Sequence, residues 1–420
     1  MRIIADFHIH SKYSRATSRD MDIPHITQWA KYKGIDVIGT GDFTHPLWLG
    51  QIKQELKEDG SGFLISKNSS LTDQCPKFIL TGEISSIYTQ DGKVRKIHTI
   101  IFVPDIKTAQ KINDKLTGIG NLYSDGRPII GLGAKDLAQL VLEINPDSLI
   151  IPAHAWTPWF SIFGSNSGFD SIKECYQDLA PYIYSIETGL SSDPEMNWRL
   201  SALDKIALIS NSDAHSPANL GREANVFEIT DSNLTYDEIT GIIKSKDPKR
   251  FLYTLEFYPE EGKYHFDGHR NCGIVANPFE QKYPENLCPK CGKKLTIGVM
   301  NRVEQLADRP SGHRDEKFPE SKHLVPLQEI IAESFESTTA SKKVQSEYLD
   351  LVNRFNGEFN ILQNLSRLEL VKNINPKIVD GILRARAGNI TIDPGYDGVF
   401  GKVKVFDDKI KESAKQGSLF

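Results

Sequence analysis

The chain lacks long hydrophobic runs: among its 420 residues there is no stretch of about 18 apolar residues, so we expect no transmembrane helix. Its first residues, Met1 to Asp6, have the composition of a short strand and not of a secretory signal. It also lacks a large excess of either charge, with 50 basic and 55 acidic residues, so composition alone does not indicate nucleic-acid binding. Hydrophobic residues make up 39% and charged residues 25%, which is typical of soluble globular proteins. We therefore expect a cytoplasmic protein of two or three domains with no membrane association.

Cysteine is scarce, and three of the five cysteines lie within twenty residues of one another. In a cytoplasmic chain such a cluster indicates a metal site and not disulfides. The first segment is His269-Arg270-Asn271-Cys272, and the second is the knuckle Cys288-Pro289-Lys290-Cys291-Gly292. Four such ligands predict a closed, structural zinc site, although His265 competes with His269 for the fourth position.

Short apolar runs alternate with helical patterns from residue 1 to about 215. Asp22 to Lys33 predicts one such helix, with Asp22 as N-cap, Pro24 in its first turn and Gly34 as its stop. Alternation of strands and helices indicates an α/β fold with a parallel sheet, open or closed into a barrel. The predicted strands are Ile3–Phe7, Ile35–Gly39, Phe78–Thr81, Ile97–Val103, Leu149–Pro152, Ile183–Ile186 and Ile206–Ser210.

A histidine or a carboxylate stands at one end of nearly every predicted strand. Because active sites of parallel α/β folds lie at the carboxyl ends of strands, we expect these side chains to converge. His8-Ile9-His10 and Asp213-Ala214-His215 each aim two ligands into one space, since residues i and i+2 of a strand share a face. Imidazole and carboxylate together suit Zn²⁺, Mn²⁺ or Fe²⁺, and so many ligands predict two or three ions. The residues are His8, His10, Asp42, Glu83, His98, His154, Glu187, Asp213 and His215.

This pattern resembles the PHP family, named for polymerase and histidinol phosphatase. The resemblance implies a distorted (β/α)7 barrel and a trinuclear metal site of Zn, Mn or Mg. Many PHP proteins carry a further ligand soon after the His-x-His, but residues 11–17 contain no such histidine or aspartate, so the third ion is expected to be weak or completed by substrate. The implied ligand sets are His8, His10, Glu83 and Asp213 for one ion, Glu83, His98 and His154 for a second, and Asp42 and His215 for a third.

The predicted chemistry is hydrolysis of a phosphoester. A metal-activated water attacks phosphorus, and the metals neutralise charge on the phosphoryl oxygens. The predicted catalytic residues are therefore His8, His10, Glu83, His98, His154, Asp213 and His215. Lys12, Arg15 and Arg222 are candidates for binding phosphate, and Trp156 is a candidate for stacking on a base, together with Trp159 and Phe160. The remaining histidines are interpreted as surface or structural residues: His25, His45, His313 and His323.

The C-terminal part is predicted to be mainly helical and to end in a motif. Amphipathic patterns predict helices at Leu324–Ser334, Lys343–Asn356, Leu365–Val371 and Ile378–Ala387. The last five residues, Gln416-Gly417-Ser418-Leu419-Phe420, are similar to the pentapeptide with which bacterial DNA enzymes bind the sliding clamp. In that motif Leu419 and Phe420 would fill an apolar pocket, while Gln416 would hydrogen-bond at its rim.

The order of these parts resembles the endonuclease Q family. The segments that carry the resemblance are Asp6 to Ala16, the cysteine module, Gly298 to Arg309 and Pro394 to Gly401. The resemblance implies a DNA repair endonuclease that recognises uracil, hypoxanthine, xanthine and abasic sites in double-stranded DNA, and that cleaves on the 5′ side of the lesion. The expected domains are a PHP barrel (1–254), a zinc-binding module (255–300), a helical DNA-binding domain (301–406) and a flexible clamp-binding tail (407–420).

Two alternatives remain at this point. A PHP-type small-molecule phosphatase would account for the barrel but not for the cysteine module or the clamp-like tail. A non-catalytic DNA-binding protein with a relic barrel is disfavoured, because nearly every metal ligand is present.

Overall fold

The computed structural model describes residues 1–68, 75–229, 234–280 and 283–406. The predicted clamp-binding residues Gln416, Leu419 and Phe420 therefore lie outside the described residues. None of the described helices is long and apolar enough to cross a membrane.

The first 256 residues contain the strands and helices of the barrel. In chain order they are β1 (Arg2–Asp6), α1 (Ile23–Lys33), β2 (Val37–Gly39), α2 (Pro46–Glu55), β3 (Leu56–Glu58), β4 (Leu64–Ser66), β5 (Lys77–Gln90), β6 (Lys93–Val103), α3 (Ile106–Thr117), β7 (Ile129–Ile130), α4 (Ala134–Ile144), β8 (Leu149–Pro152), α5 (Ile172–Tyr176), β9 (Ser185–Glu187), α6 (Pro194–Asn197), β10 (Ala207–Ile209), β11 (Ala224–Glu228), α7 (Tyr236–Ser245) and β12 (Phe251–Glu256).

Seven strands close into a distorted barrel in the order β1, β2, β5, β6, β8, β9, β10. Strands β1, β2 and β5 are parallel, and β9 and β10 are parallel to each other. Ala155 donates its N–H to the Glu187 carbonyl beside β8 and β9. A parallel bridge between Ile9 and Ala214 joins the extensions of β1 and β10 and so closes the barrel. Strands β11 and β12 extend the sheet antiparallel on the outer side of β1.

The sheet departs from the predicted parallel arrangement at β6, which runs antiparallel to both β5 and β8. Strand β5 continues to Gln90 and turns through Asp91-Gly92, both with positive φ, into the antiparallel strand β6. An Asp-Gly pair is a strong hairpin signal, and here it interrupts the alternation of strands and helices. As a result Glu83 lies within a strand, and His98 lies in the middle of β6 opposite Ser85.

Successive residues of the strands point to opposite faces of the sheet and so contribute to two different apolar layers. One fills the barrel with side chains such as Ala5, Phe7 and Ile79, and α7 packs against it. The other joins residues of opposite parity, such as Ile38 and Ile84, to the surrounding helices. Helix α1 confirms its predicted ends: the Asp22 side chain accepts the N–H of His25, and Gly34 adopts the left-handed conformation with φ of 84°.

The segment after the barrel contains β13 (Asp267–His269), β14 (Ile274–Ala276), α8 (Val299–Leu306) and β15 (Glu320–His323). Helix α8 is bound to the barrel because Arg302 donates to the carbonyls of Phe163 and Phe169. Strand β15 pairs in parallel with β12. Residues 301–323, which the sequence assigned to the C-terminal domain, therefore pack with the barrel.

The helical unit has a hydrophobic core of its own, between Val325 and Val405. It consists of α9 (Leu327–Ser334), α10 (Lys342–Arg354), α11 (Arg367–Asn373) and α12 (Pro376–Arg386), followed by the antiparallel strands β16 (Thr391–Asp393) and β17 (Lys402–Lys404). The four predicted helices are confirmed to within three residues at each end.

A buried ion pair fixes this unit to the barrel. Lys33, the last residue of α1, donates to Glu358 at 2.6 Å, and both side chains are 4% exposed. Glu358 also accepts the Tyr348 hydroxyl at 2.7 Å and the Leu327 N–H at 2.9 Å. Because this carboxylate is shared by elements of the helical unit and the barrel, it holds them in one orientation.

Candidate active site

The two histidines after β1 turn toward the same pair of carboxylates. Nε2 of His8 lies 3.5 Å from Glu83 Oε2 and 3.7 Å from Asp213 Oδ1, and Nε2 of His10 lies 3.3 and 3.0 Å from the same two atoms. Both Nε2 atoms and Asp213 Oδ1 are buried and have no hydrogen-bond partner among the described residues. Unsatisfied buried polar atoms are costly, and a bound cation would satisfy all three, so this donor set fits a metal ion.

Glu83 joins this group to a second one. Its Oε1 lies 2.8 Å from His98 Nδ1 and 3.1 Å from His154 Nε2, while those two ring nitrogens are 3.1 Å apart. Burial, partly opposed by the charge of Glu83, lowers the pKa of His98 to about 4. The His98 ring is therefore neutral near pH 7, which is the form that binds a metal. The structure thus brings together both ligand sets that the PHP resemblance implies, with Glu83 between them.

Glu187 holds these ligands in place from behind. Its carboxylate accepts hydrogen bonds from His8 Nδ1 at 3.0 Å, the His154 N–H at 2.8 Å and Asn211 Nδ2 at 2.9 Å. With Nδ1 of His8 donating to Glu187, Nε2 presents its lone pair to the metal-ligand group. A carboxylate behind a histidine in this way is typical of metal sites.

Asp42 supports His10 in the same manner. Its Oδ1 lies 3.0 Å from His10 Nδ1, and its Oδ2 accepts the Ser11 N–H, the Ser11 hydroxyl and the Ser14 hydroxyl at 2.6, 2.7 and 2.8 Å. The Nδ1 of His215 donates to the Asp213 carbonyl at 2.8 Å, and its ring lies 4.5 Å from that of His10. Within the described chain, no cluster of three metal-type ligand atoms includes Asp42 or His215.

The backbone is strained where the site is built. Asp42, His154 and Asp213 have φ values of 46°, 29° and 45°, a region that costs about 1–3 kcal/mol for residues other than glycine. Two glycines make room for these residues. A Cβ atom on Gly126 would lie 2.2 Å from Asp42 Oδ2, and one on Gly189 would lie 2.5 Å from His154 Cβ.

The basic residues predicted to bind phosphate differ in position. Arg15 is exposed at the surface and pairs with Asp125 at 3.2 Å, and Lys12 lies 5.9 Å from the ring centre of Tyr13. Arg222 donates to the carbonyl of Ser212, the residue before Asp213, at 2.9 Å.

The structure does not support base stacking by Trp156. Its side chain is 1% exposed, and its indole N–H donates to Asn197 Oδ1 at 2.7 Å, so both faces are packed in the core. Trp159 is 40% exposed, and Phe160 contacts the ring of His98 with centroids 4.7 Å apart. Of these three aromatic residues, Phe160 contacts a candidate ligand, and Trp159 contacts the ring of Tyr264.

Sequence reasoning missed Arg127. Its Nη1 lies 3.0 Å from Glu83 Oε2, and the charge of Glu83 raises the pKa of the guanidinium although burial opposes the shift. Arg127 lies in a loop between Gly126 and Pro128 that adjoins no predicted strand end, so no pattern marked it. It places a permanent positive charge next to the metal-ligand group.

The cysteine module forms a second, separate cluster. The ligand atoms of His269, Cys272, Cys288 and Cys291 all lie within 4.8 Å of one another. His265 is buried elsewhere, so the structure selects His269 as the fourth member. The knuckle turns tightly because Gly292 has φ of 70° and donates to the Cys288 carbonyl at 2.8 Å. Four sulfur and nitrogen donors with no oxygen ligand fit a closed zinc site.

Comparison with solved structures identifies the family. The chain matches the lesion-specific endonuclease PfuEndoQ from Pyrococcus furiosus over 100% of both chains, with a TM-score of 0.84 and 31% identity. The chain belongs to the endonuclease Q family. A second structure of this family, endonuclease Q in complex with a 27-mer duplex that has an abasic lesion at the active site, matches with the same TM-score and identity over 98% of each chain.

Family membership confirms the predicted fold class, in which a PHP-type barrel is followed by a Cys/His module and a helical part. Residues 326–389 also match the family described as the MJ0043 C-terminal domain. The protein MJ0043 of Methanocaldococcus jannaschii is 32% identical over 293 residues, or 68% of this chain. The chain spans 36% of the length of that relative.

Proposed function

We propose that this protein is a metal-dependent DNA repair endonuclease that cleaves DNA on the 5′ side of deaminated bases and abasic sites. The observation that carries the proposal is the full-length likeness to endonuclease Q, one structure of which holds a duplex with an abasic lesion at the active site. The lesions assigned to this chain are uracil, hypoxanthine, xanthine and the abasic site. Cytoplasmic location is part of the same proposal.

The metal-ligand residues divide into two sets that share Glu83. His8, His10, Glu83 and Asp213 would hold one divalent ion, and Glu83, His98 and His154 a second, with Zn²⁺, Mn²⁺ or Mg²⁺ as the candidates. Bound divalent ions supply Lewis-acid stabilisation and an activated water. Because Asp42 already accepts four hydrogen bonds, we assign it to positioning His10, and we leave His215 as the ligand that a third ion would share with substrate.

We assign the binding of the scissile phosphate to two arginines. Arg127 lies beside Glu83, and Arg222 lies beside Asp213. A guanidinium keeps its charge at all relevant pH values and offers paired donors to phosphate oxygens. Lys12 and Arg15 would contact neighbouring phosphates of the same strand.

His215 is oriented for proton transfer. Its Nδ1–H donates to the Asp213 carbonyl, so the lone pair is on Nε2, and its side chain is 30% exposed. Burial lowers the pKa of His215, although the charge of Asp213 opposes the shift, so burial favours the neutral ring. In that state Nε2 can accept a proton or bind an ion.

A base buried in the duplex must leave the stack before it is read, so the enzyme requires an aromatic or apolar surface near the cleavage site. We assign this role to Phe160, which contacts the His98 ring, and to its exposed neighbour Trp159. Lys290, Lys293 and Lys294 are exposed on the cysteine knuckle and would bind the DNA backbone.

The test uses end-labelled duplexes with one uracil, one hypoxanthine, one xanthine, one abasic site or no lesion, with Mn²⁺ or Mg²⁺ added. The expected result is a nick immediately 5′ of each lesion and none in the undamaged duplex. The double variant His8→Ala/His10→Ala should lose cleavage and still bind DNA, whereas His25→Ala, in which an exposed histidine is removed, should cleave normally. Hydrolysis of a small phosphomonoester without lesion-dependent nicking would replace this proposal with the phosphatase alternative.

The clamp interaction rests on the sequence of the last five residues. Gln416, Leu419 and Phe420 would bind a bacterial sliding clamp, with the two apolar side chains in its pocket. Leu419→Ala/Phe420→Ala should abolish binding to the purified clamp without changing cleavage of a short duplex. Equal clamp affinity in the variant and the parent protein would contradict the proposal that these residues bind the clamp.

A further inference from the structure

A second group of metal-type side chains lies outside the active site, between α6 and the paired strands β12 and β15. Asp193 is the N-cap of α6, Glu195 lies in its first turn, and His323 is the last residue of β15. One ligand atom of each lies within 4.8 Å of the other two. His323 Nε2 and Asp193 Oδ2 are 3.2 Å apart. No sequence pattern links these residues, and His323 was interpreted as surface or structural.

A fully buried carboxylate, Glu256, faces the same group. In the parallel register of β12 and β15, Glu256 is directly opposite His323, and both residues occupy the same face of the sheet. Glu256 is 0% exposed. Its Oε1 accepts the Ser210 hydroxyl, while its Oε2 is buried and accepts no hydrogen bond from any residue that the structure describes.

Glu195 provides a second buried carboxylate oxygen that accepts no hydrogen bond from the described residues. Its Oε1 accepts the Ser321 hydroxyl at 2.5 Å, and its Oε2 is buried without a hydrogen-bond partner in the described chain. Ser321 is two residues before His323, so this carboxylate also lies on the face that carries the imidazole. Two unsatisfied carboxylate oxygens thus flank the contact between Asp193 and His323.

With all three carboxylates ionised, this group carries an excess of negative charge. Three carboxylates surround one imidazole, and in the described part of the chain the only ion-pair partner of Asp193, Glu195 or Glu256 is His323. Burying several carboxylates is costly unless a positive charge joins them.

We propose that Asp193, Glu195 and His323, with Glu256 beside them, bind one divalent transition-metal ion of the Zn²⁺ or Mn²⁺ type. One imidazole nitrogen with carboxylate oxygens favours these ions over Ca²⁺, which takes oxygen ligands. The ion joins the loop after β9 to β15, the strand that leads directly into the helical unit at Val325. Its role is to hold that junction, and it is distinct from the cysteine module and from the group around Glu83.

Metal content tests this assignment directly. The full-length protein, His323→Asn and the matched control His25→Asn are each dialysed to equilibrium against Mn²⁺ and, separately, Zn²⁺, and bound metal is measured by mass spectrometry. His323→Asn should bind one ion per chain fewer than the parent protein, and its melting temperature should rise less when metal is added. His25→Asn should match the parent, because that histidine is exposed on α1.

A second variant, chosen to preserve the fold, tests the same site. Glu195→Gln keeps the size of the side chain and the hydrogen bond from Ser321, and it should weaken binding of the same ion by about tenfold or more, since losing a ligand costs at least as much as losing the support of one. Equal metal content and affinity in the folded variants and the parent would overturn the proposal. The group would then be an imidazolium held by carboxylates, with a proton in place of the ion.

Discussion

The substitution Glu187→Gln tests the hydrogen bonds that hold the metal ligands in place without changing any of the ligands. The carboxylate of Glu187 accepts from His8 Nδ1, the His154 N–H and Asn211 Nδ2, and both oxygens take part. A glutamine has one acceptor oxygen, so at least one of these buried donors would face an NH₂ group. An unsatisfied buried donor costs about 1–3 kcal/mol. Part of this cost falls on folding and part on metal binding. We therefore expect metal affinity to fall by up to about 100-fold, which is the range for residues that hydrogen-bond to metal ligands.

The assay is a competition titration with a chelator of known affinity, performed on the parent and Glu187→Gln, with far-UV circular dichroism to confirm folding. Cleavage rates at limiting and saturating metal should separate the two effects. We expect the variant to approach the parent rate when metal saturates. Unchanged metal affinity in a folded Glu187→Gln protein would refute the role assigned to this carboxylate.

Three further predictions concern steric fit, a buried charge pair and pH. Gly126→Ala places a Cβ within 2.2 Å of Asp42 Oδ2 and should lower cleavage by about tenfold or more without abolishing folding, as measured by initial rates and thermal melting. Lys33→Met leaves the buried Glu358 carboxylate without its cation and should lower the free energy of unfolding by about 3–5 kcal/mol in a urea titration. Burial raises the pKa of Glu329 from 4.5 to about 7, so the folded state binds this proton more tightly than the unfolded chain. Stability should therefore fall as pH rises from about 4.5 to 7, and Glu329→Gln should reduce that fall in denaturation curves measured across the range.

The convergence of the candidate ligands could be predicted because most of them lie at or just beyond the ends of barrel strands. His8 and His10, two residues apart after β1, both approach Glu83 and Asp213. The same spacing does not bring His215 into a ligand group with Asp213, whose φ is positive. The cysteine knuckle could also be predicted, since two-residue spacing and a glycine define its turn. Such patterns depend on residues close together in sequence and not on contacts between distant segments.

Contacts between distant segments could not be predicted in the same way. Arg127 reaches Glu83 from a loop with no periodic pattern, and His323 meets Asp193 across 130 residues. Trp156 was a candidate for base stacking because it follows a predicted ligand, but an aromatic side chain near a strand end packs inward as readily as outward. The boundary after the cysteine module also depends on strand pairing, since β15 joins β12 far from it in sequence.

The measurement that tests the central claim most directly is single-turnover cleavage of a duplex with one abasic site by the parent protein and Glu83→Gln, with DNA binding measured on the same samples. Glu83 is the residue that joins both ligand groups, so the account predicts a nick 5′ of the lesion with the parent, a loss of cleavage of at least about 100-fold in the variant, and similar DNA affinity in both. Cleavage by Glu83→Gln at the rate of the parent, or a parent protein that binds the lesion and does not nick it in the presence of Mn²⁺, Mg²⁺ or Zn²⁺, would contradict the account.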